Sequence, residues 1–561
     1  MNIPTHTRGE IRADEAGQVA AQRGPAAGFG RLRAESMGGW AGVAAFVALS
    51  FLPFVVLALA WLGEIPRHGM GALLWAVPSQ RGLLLLSNSL LLAAAVALVA
   101  TFLGSAMALW MYEGRGRWHR LVRYLYLLPL LIPPYLHALA WVSIAGRRQA
   151  LDQAIAWIVG PNRVSVSAYG FWPAVLVAGL ALAPIVAMLV LRGLESIEPE
   201  LIEQASLLRS PWLVSRLLLL PLVAPALAAG AGLVFVLTMV EYGVPSLFQF
   251  NVYVMETYAS FSQNMDPVRA LASSAPLMAL AVAVLLACHS ALRNNTLRGA
   301  PDRPYHIDSQ AWPMPARLIV KIGVGLAIIA TTGSVLILLI RSNSPTTFAV
   351  AVPSAWDETG RTLAVAALSA TVSAMVAVPA ALALARPGWR QSLIWLLCAL
   401  PLAVPAPLTG IALIYLSNSP WLDWSQSTLL PLVWAHTARL LPFAIYAAAT
   451  QIRRIDPLLF EAASLHRVGF PRALLQVRLP LMAPAISLAW LVVFVLSLGE
   501  LGASLLIAPP GQATLPIRIY NLMHYGSTET VAALSLVIMV SAAVAGAAAV
   551  VLGRRLWPWT M

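Results

Sequence analysis

The sequence predicts an all-α polytopic membrane protein built as two tandem six-helix units, about twelve spans in all. Three observations lead there. Of 561 residues, 59% are hydrophobic and 11% charged, against about 25% charged in a soluble domain, and mean hydropathy is +0.78. Apolar runs of roughly 20 residues, enough to cross about 30 Å of hydrocarbon as helix, recur along the chain. The second half also repeats residues of the first at a nearly fixed offset. A β-barrel would need alternating segments of about ten residues, and none occur.

Taken in order, residues 1–38 mix Arg with Asp and Glu and are rich in Gly and Ala, which predicts an irregular cytoplasmic tail. The apolar run after it is too long for a cleavable signal segment and reads as a retained anchor. The first unit, 39–292, offers spans at 40–62, 84–111, 121–144, 171–191, 222–247 and 270–292. Residues 293–317, with Pro301, Pro304, Pro313 and Pro315, form a linker. The second unit, 318–553, offers 318–340, 362–385, 393–416, 429–451, 481–507 and 530–552, before a short C-terminus at 554–561. Pro133, Pro134, Pro184, Pro405 and Pro407 fall inside spans, which bundled helices tolerate when neighbours re-satisfy the freed carbonyls.

Arginine fixes the expected orientation. Arg115, Arg117, Arg120 and Arg123 follow span two, and Arg192, Arg209 and Arg216 follow span four. Arg293, Arg298, Arg303 and Arg317 follow span six, Arg386 and Arg390 span eight, Arg453, Arg454, Arg467, Arg472 and Arg478 span ten, and Arg554 and Arg555 the last. Those loops should face the cytoplasm, with both termini inside. The net charge of +13 is then a topology signal scattered over short loops, not a nucleic-acid surface. Cys288 and Cys398 are the only cysteines, both in apolar runs, which excludes a disulfide framework or thiolate metal site.

The duplication is specific. Glu203-Gln-Ala-Ser-Leu-Leu-Arg209 recurs as Glu461-Ala-Ala-Ser-Leu-His-Arg467, 258 residues on (461 less 203). At that offset Pro173, Pro184 and Pro199 meet Pro431, Pro442 and Pro457. One residue further, Pro221, Pro225, Phe235, Glu241 and Gly243 meet Pro480, Pro484, Phe494, Glu500 and Gly502. An even number of spans per half gives both halves the same orientation, so they should be related by an axis along the membrane normal with a pathway at their junction.

Each repeated loop opens with an acid and proline, Glu198-Pro199 and Asp456-Pro457, a good start for a short helix. Leu201, Ile202, Ala205 and Leu208 are expected on one apolar face. Two short cytoplasmic helices, one per half, imply two partner grooves; the bland alternative is a helix resting on lipid headgroups.

Glu461-Ala-Ala with Pro480 nineteen residues on resembles the EAA signature of permease subunits of binding-protein-dependent ABC importers. The resemblance covers both halves, so the chain looks like two such permeases fused, in the type I importer fold. It implies that Glu203, Ala205, Arg209, Glu461, Ala463 and Arg467 belong to coupling helices docking two copies of a cytoplasmic ATPase, and that a periplasmic binding protein delivers substrate. Arg467 and Arg209 stand where the family has glycine, and Gln204 replaces the first Ala. A P-loop needs Gly-x-x-x-x-Gly-Lys-Ser/Thr, but Lys321 is the only lysine. No cofactor is therefore expected on this chain; ATP would sit on the partner, and the chain reads as no enzyme of its own.

Pathway candidates follow from ionisable residues inside spans, which are costly there and usually face a bundle interior. Glu241 and Glu500 sit at equivalent span ends, each followed by x-Gly. They suit a cationic substrate, or else hold their own helix bends. Arg439 and His436 stand where the first half has Ala181 and Ala178; Arg439 either pairs with Glu500 or snorkels outward. Tyr258 and Tyr520 occupy matching outer positions, either as ligands to a hard cation such as ferric ion or as part of the aromatic belt. Fused halves of this length, with Gly499-Glu-Leu-Gly502-Ala-Ser-Leu-Leu and Leu515-Pro-Ile-Arg-Ile-Tyr-Asn-Leu-Met-His-Tyr525, resemble the ferric-iron permeases. Thiamine, 2-aminoethylphosphonate and polyamine importers are the alternatives within the same machinery. A secondary transporter or a lipid-linked sugar transferase would leave the duplicated cytoplasmic segment unexplained.

Overall fold

The computed structural model describes residues 25–113, 126, 128–145, 169–293, 312–385, 389–455, 479–525 and 528–556. In the first half these form α1 (Pro25–His68), α2 (Gln80–Glu113), α3 (Pro134–Ala145), α4 (Phe171–Glu195), α5 (Pro199–Leu208), α6 (Leu220–Met239), α7 (Tyr253–Asn264) and α8 (Pro267–Arg293). The second half supplies α9 (Met314–Arg341), α10 (Trp356–Ala385), α11 (Trp389–Ala399), α12 (Ala406–Ser417), α13 (Leu430–Ile452), α14 (Leu479–Leu498), α15 (Leu515–His524) and α16 (Thr528–Leu556). Among the described residues there is no strand. Among the described residues nine helices are long and apolar enough to cross a membrane, or ten with the bent α11–α12 pair.

That is fewer uninterrupted spans than the apolar runs suggest, and proline explains much of the difference. The run 121–144 is not one helix: a turn at Leu128–Leu131 stops before Pro133 and α3 restarts at Pro134. Its counterpart 393–416 bends by 94° at Val404, whose backbone is extended (φ −92°, ψ 124°) ahead of Pro405, as the ring of a following proline requires. Single prolines act differently: Pro184 and Pro442, at matched positions, lie inside unbroken α4 and α13. The runs 222–247 and 481–507 end early, at Met239 and Leu498, and turn into short helices Gly243–Leu247 and Ser504–Ile507. Helix also begins earlier than expected at both unit starts, at Pro25 inside the expected tail and at Met314 inside the expected linker. Helix α13, 23 residues long and largely buried, carries His436 and Arg439 in its middle.

Each half has a core of four helices: α2, α4, α6 and α8 in the first, α10, α13, α14 and α16 in the second. The first long helix of each half packs chiefly on the other half. Helix α1 lies against α10, α12 and α13, while α9 lies against α2, α3 and α4 as well as α16. Small residues make both crossings possible, since apolar helices in lipid associate through close backbone approach. A Cβ on Gly42 of α1 would stand 2.6 Å from the Ala380 nitrogen, and one on Gly323 of α9 would stand 2.7 Å from the Ala106 Cβ. Polar bonds fix the exchange. The Trp434 indole donates to the Leu49 carbonyl (2.8 Å), and His137 Nδ1 meets Ser334 Oγ at 2.9 Å.

Candidate functional site

The repeated short helix comes first. Helix α5 starts at Pro199, as its sequence predicts, and ends at Arg209, whose backbone is extended (φ −141°, ψ 156°). The chain therefore leaves the helix without the left-handed turn that would demand glycine, and arginine fits where the family pattern has Gly. Pro211 begins the next helical segment and holds Ser210 extended as well. The expected apolar face is split in two. Pro199 and Ile202 are buried and Ala205 and Ser206 half-buried, while Leu201, Glu203, Gln204, Leu207, Leu208 and Arg209 are exposed. With 3.6 residues per turn, Ile202 and Ala205 anchor one side and Leu201 and Leu208 form a separate outward stripe. Glu461, Ala463 and Arg467, in the second copy, lie outside the described residues.

From Pro211 the chain runs as one helical rod to Met239, 29 residues, with a π-helical turn at Ser215–Leu219. The rod spans about 43 Å at 1.5 Å per residue and ends two residues before Glu241. In the second half α14 likewise ends two residues before Glu500.

At these ends the two Glu-x-Gly turns meet the restarts of the broken helices. Glu241 Oε1 accepts the Gly243 amide (2.9 Å), and Glu500 Oε1 accepts the Ala503 amide (3.1 Å), so each carboxylate ties down its own turn. Close packing locks the turns in place. A Cβ on Gly243 would come within 3.0 Å of the Tyr135 Cβ, one on Gly502 within 2.5 Å of the Ala406 Cβ, and one on Gly499 would overlap Pro133 of the opposite half.

The two turns differ in charge. Arg439 of α13 forms an ion pair with Glu500, their side chains 21% and 11% exposed, and does not snorkel away. Glu241 lies within electrostatic reach of both partners, but its own half offers only the buried Ala178 and Ala181 at the equivalent positions. His436 is buried with Nδ1 2.6 Å from Ser497 Oγ and Nε2 2.8 Å from Ser504 Oγ. It thus braces α13 against the residues on either side of Glu500. Between the halves lies a crevice lined by Tyr135, Gly243 and Ser246 on one side and Leu501, Tyr520 and Met523 on the other. It is narrow, with room for about one water molecule.

Tyr258 and Tyr520 come together through a third ring. Tyr242 packs on Tyr258 with centroids 5.8 Å apart and shares a side-chain hydrogen bond with Tyr520, closing the junction between halves. Tyr242 and Tyr135 were not singled out from the sequence, although each had a signal. Tyr242 is the middle residue of Glu241-Tyr242-Gly243, and Tyr135 follows the Pro133-Pro134 break.

Comparison with known proteins matches residues 100–295 and 373–558 to the family described as binding-protein-dependent transport system inner membrane components. The chain belongs to that family. It is a tandem pair of permease units of the ABC importer kind. A ferric transport system permease protein of Actinobacillus pleuropneumoniae is 22% identical over 79% of this chain and 67% of its own length. A provisionally assigned 2-aminoethylphosphonate transport system permease protein of Salmonella typhimurium is 30% identical over 33% of this chain and 70% of its own. A putrescine transport system permease protein of Escherichia coli K12 is 27% identical over 33% and 68% respectively. Both permease matches include a Glu-x-Gly turn and a copy of the repeated segment around Glu203 and Glu461, while the exchanged helices α1 and α9 fall outside them.

Proposed function

We propose that this permease moves ferric iron inward across the bacterial inner membrane, receiving it from a periplasmic binding protein and driven by two copies of a cytoplasmic ATPase. The observation that carries the substrate reading is coverage. The ferric relative aligns across both halves of the chain, whereas the phosphonate and putrescine relatives each align with one third of it. Charge agrees: two carboxylates and one guanidinium leave the junction with one net negative charge, which favours a cation.

In this reading α5 and its counterpart around Glu461 are the docking helices, with N- and C-termini on the same cytoplasmic side. ATP closes the two ATPases, α5 moves with its partner, and the rod Pro211–Met239 transmits that movement to the Glu241 turn. Differential binding of ATP to the closed ATPase pair supplies the free energy for the switch. No metal or nucleotide is assigned to this chain as a resident group.

The test is reconstitution in proteoliposomes with the cognate ATPase and binding protein. ATP-dependent uptake of radioactive iron is expected, with thiamine, 2-aminoethylphosphonate and putrescine as competing cargoes. Uptake of one of those in place of iron would reassign the substrate. Uptake that continues without ATP under an imposed ion gradient would replace the whole mechanism with secondary transport.

A further inference from the structure

The ion pair between Arg439 and Glu500 and the unpaired phenol beside it point to a device in the pathway. The Tyr135 side chain is 5% exposed, and its hydroxyl is buried without a hydrogen-bond partner. A buried orphan hydroxyl costs about 1–3 kcal/mol, so it needs a reason to persist. Tyr135 lines the crevice between the halves and lies within reach of the charge on Glu500. The same region holds Glu241, which accepts the Gly243 amide of its own turn, and Glu500, occupied by Arg439. A carboxylate from each half, one of them already paired with Arg439, thus stands near the junction that Tyr135 lines.

We propose that Arg439 is a tethered counter-ion: it neutralises Glu500 while the pathway is closed, and a passing metal cation displaces it and is held by Glu241, Glu500 and the Tyr135 phenol. The proposal rests on the reading that the substrate is a cation. Hard cations prefer oxygen ligands, carboxylate above all, to nitrogen or sulfur, and a neutral phenol oxygen can complete such a set without losing its proton. Among the described residues no cluster of three His, Cys, Asp or Glu side chains is placed to hold a metal ion. The arrangement therefore suits brief passage, with the guanidinium returning as the cation leaves. Asymmetry is part of the device. Ala181 stands where Arg439 would fall in the first half, so Glu241 stays available to begin the exchange.

Terbium(III) is a usable probe, because its emission is sensitised by nearby tyrosine and it does not change oxidation state. Binding is measured on the purified permease–ATPase complex. Arg439→Gln is expected to bind Tb3+ at least tenfold more tightly than wild type, and Arg439→Lys to stay near wild type. Adding Glu241→Gln or Tyr135→Phe to Arg439→Gln should reverse the gain. Equal or weaker binding by a folded Arg439→Gln complex overturns the proposal. If that variant does not assemble, Tyr135→Phe alone decides, since it leaves the ion pair intact: at least fivefold weaker Tb3+ binding supports the proposal, and unchanged binding overturns it. The two readings separate cleanly. Tighter Tb3+ binding in a protein that takes up no iron upholds the counter-ion and removes ferric iron as cargo. Iron uptake with Tb3+ binding insensitive to Arg439 does the opposite.

Discussion

If α5 is a docking helix, its outward leucines must contribute to binding. Leu207 and Leu208 are 86% and 82% exposed, an unusual arrangement on a helix whose other side is anchored by Ile202 at 1%. Full burial of a leucine stabilises by about 1.5–3 kcal/mol, so the pair offers a partner about 3–5 kcal/mol. Part of that is offset by ordering and desolvation on association. Leu207→Ala with Leu208→Ala is therefore expected to weaken the dock by about 3 kcal/mol, roughly a hundredfold in Kd. Because a second dock would mask the loss through avidity, the measurement belongs in a Glu461→Arg background. The assay is binding of the purified ATPase to the permease in nanodiscs, followed by optical interferometry. Ile202→Ala serves as contrast: a cavity on the anchored side should lower thermal stability by about 2–5 kcal/mol before it alters affinity. A change in Kd below threefold for the double leucine variant would show that the stripe rests on lipid headgroups, and the docking argument for α5 would fail.

Three further outcomes are expected. Gly42→Val should force α1 away from the backbone of α10 at Ala380 and cost about 1–3 kcal/mol, read as a lower melting temperature, whereas Gly63→Ala, with nothing within 4 Å, should not lower it. Arg439→Ala should destabilise by about 3–5 kcal/mol by leaving a partly buried carboxylate uncompensated, while Arg439→Met with Glu500→Leu should restore most of the melting temperature and still abolish uptake; restored uptake would make the pair purely structural. Glu241→Gln with Glu500→Gln should slow uptake of a cation at least tenfold in proteoliposomes, and unchanged kinetics would leave both carboxylates as turn-holding groups alone.

What could be read from the sequence was what the backbone dictates. Glu241 with Glu500 and Gly243 with Gly502 mark the repeat because each fixes a turn or a close approach. The start of α5 at Pro199 follows from the same chemistry. The misread spans share one cause: hydropathy does not register a turn flanked by apolar residues. Val244-Pro-Ser-Leu-Phe248 continues an apolar run, yet the helix has ended at Met239. Consecutive or near-consecutive prolines, Pro133-Pro134 and Pro405-x-Pro407, each remove a donor and restrict the residue before them, so a bundle that absorbs Pro184 does not absorb them. Partner choice was illegible for a different reason. Nothing in an apolar helix says which half it packs on, and only Gly42 and Gly323 hint that α1 and α9 approach another backbone closely. Of the pathway residues, the pairing of Arg439 with Glu500 was one of two open readings, while Tyr135 and Tyr242 needed the folded chain to show that they meet the opposite half.

Fusion of the two units has a consequence for charge that separate identical subunits could not reproduce. A symmetric pair of permeases would place either two arginines or none against its two Glu-x-Gly turns, giving a junction with no net charge or with two uncompensated carboxylates. The first would repel no anion and attract no cation; the second would bury two like charges near each other, each costly in a low-dielectric span. A single chain can carry Arg439 and His436 in one half and Ala181 and Ala178 in the other. It thereby keeps one carboxylate neutralised and one available, with the rod Pro211–Met239 running from α5 to the available one.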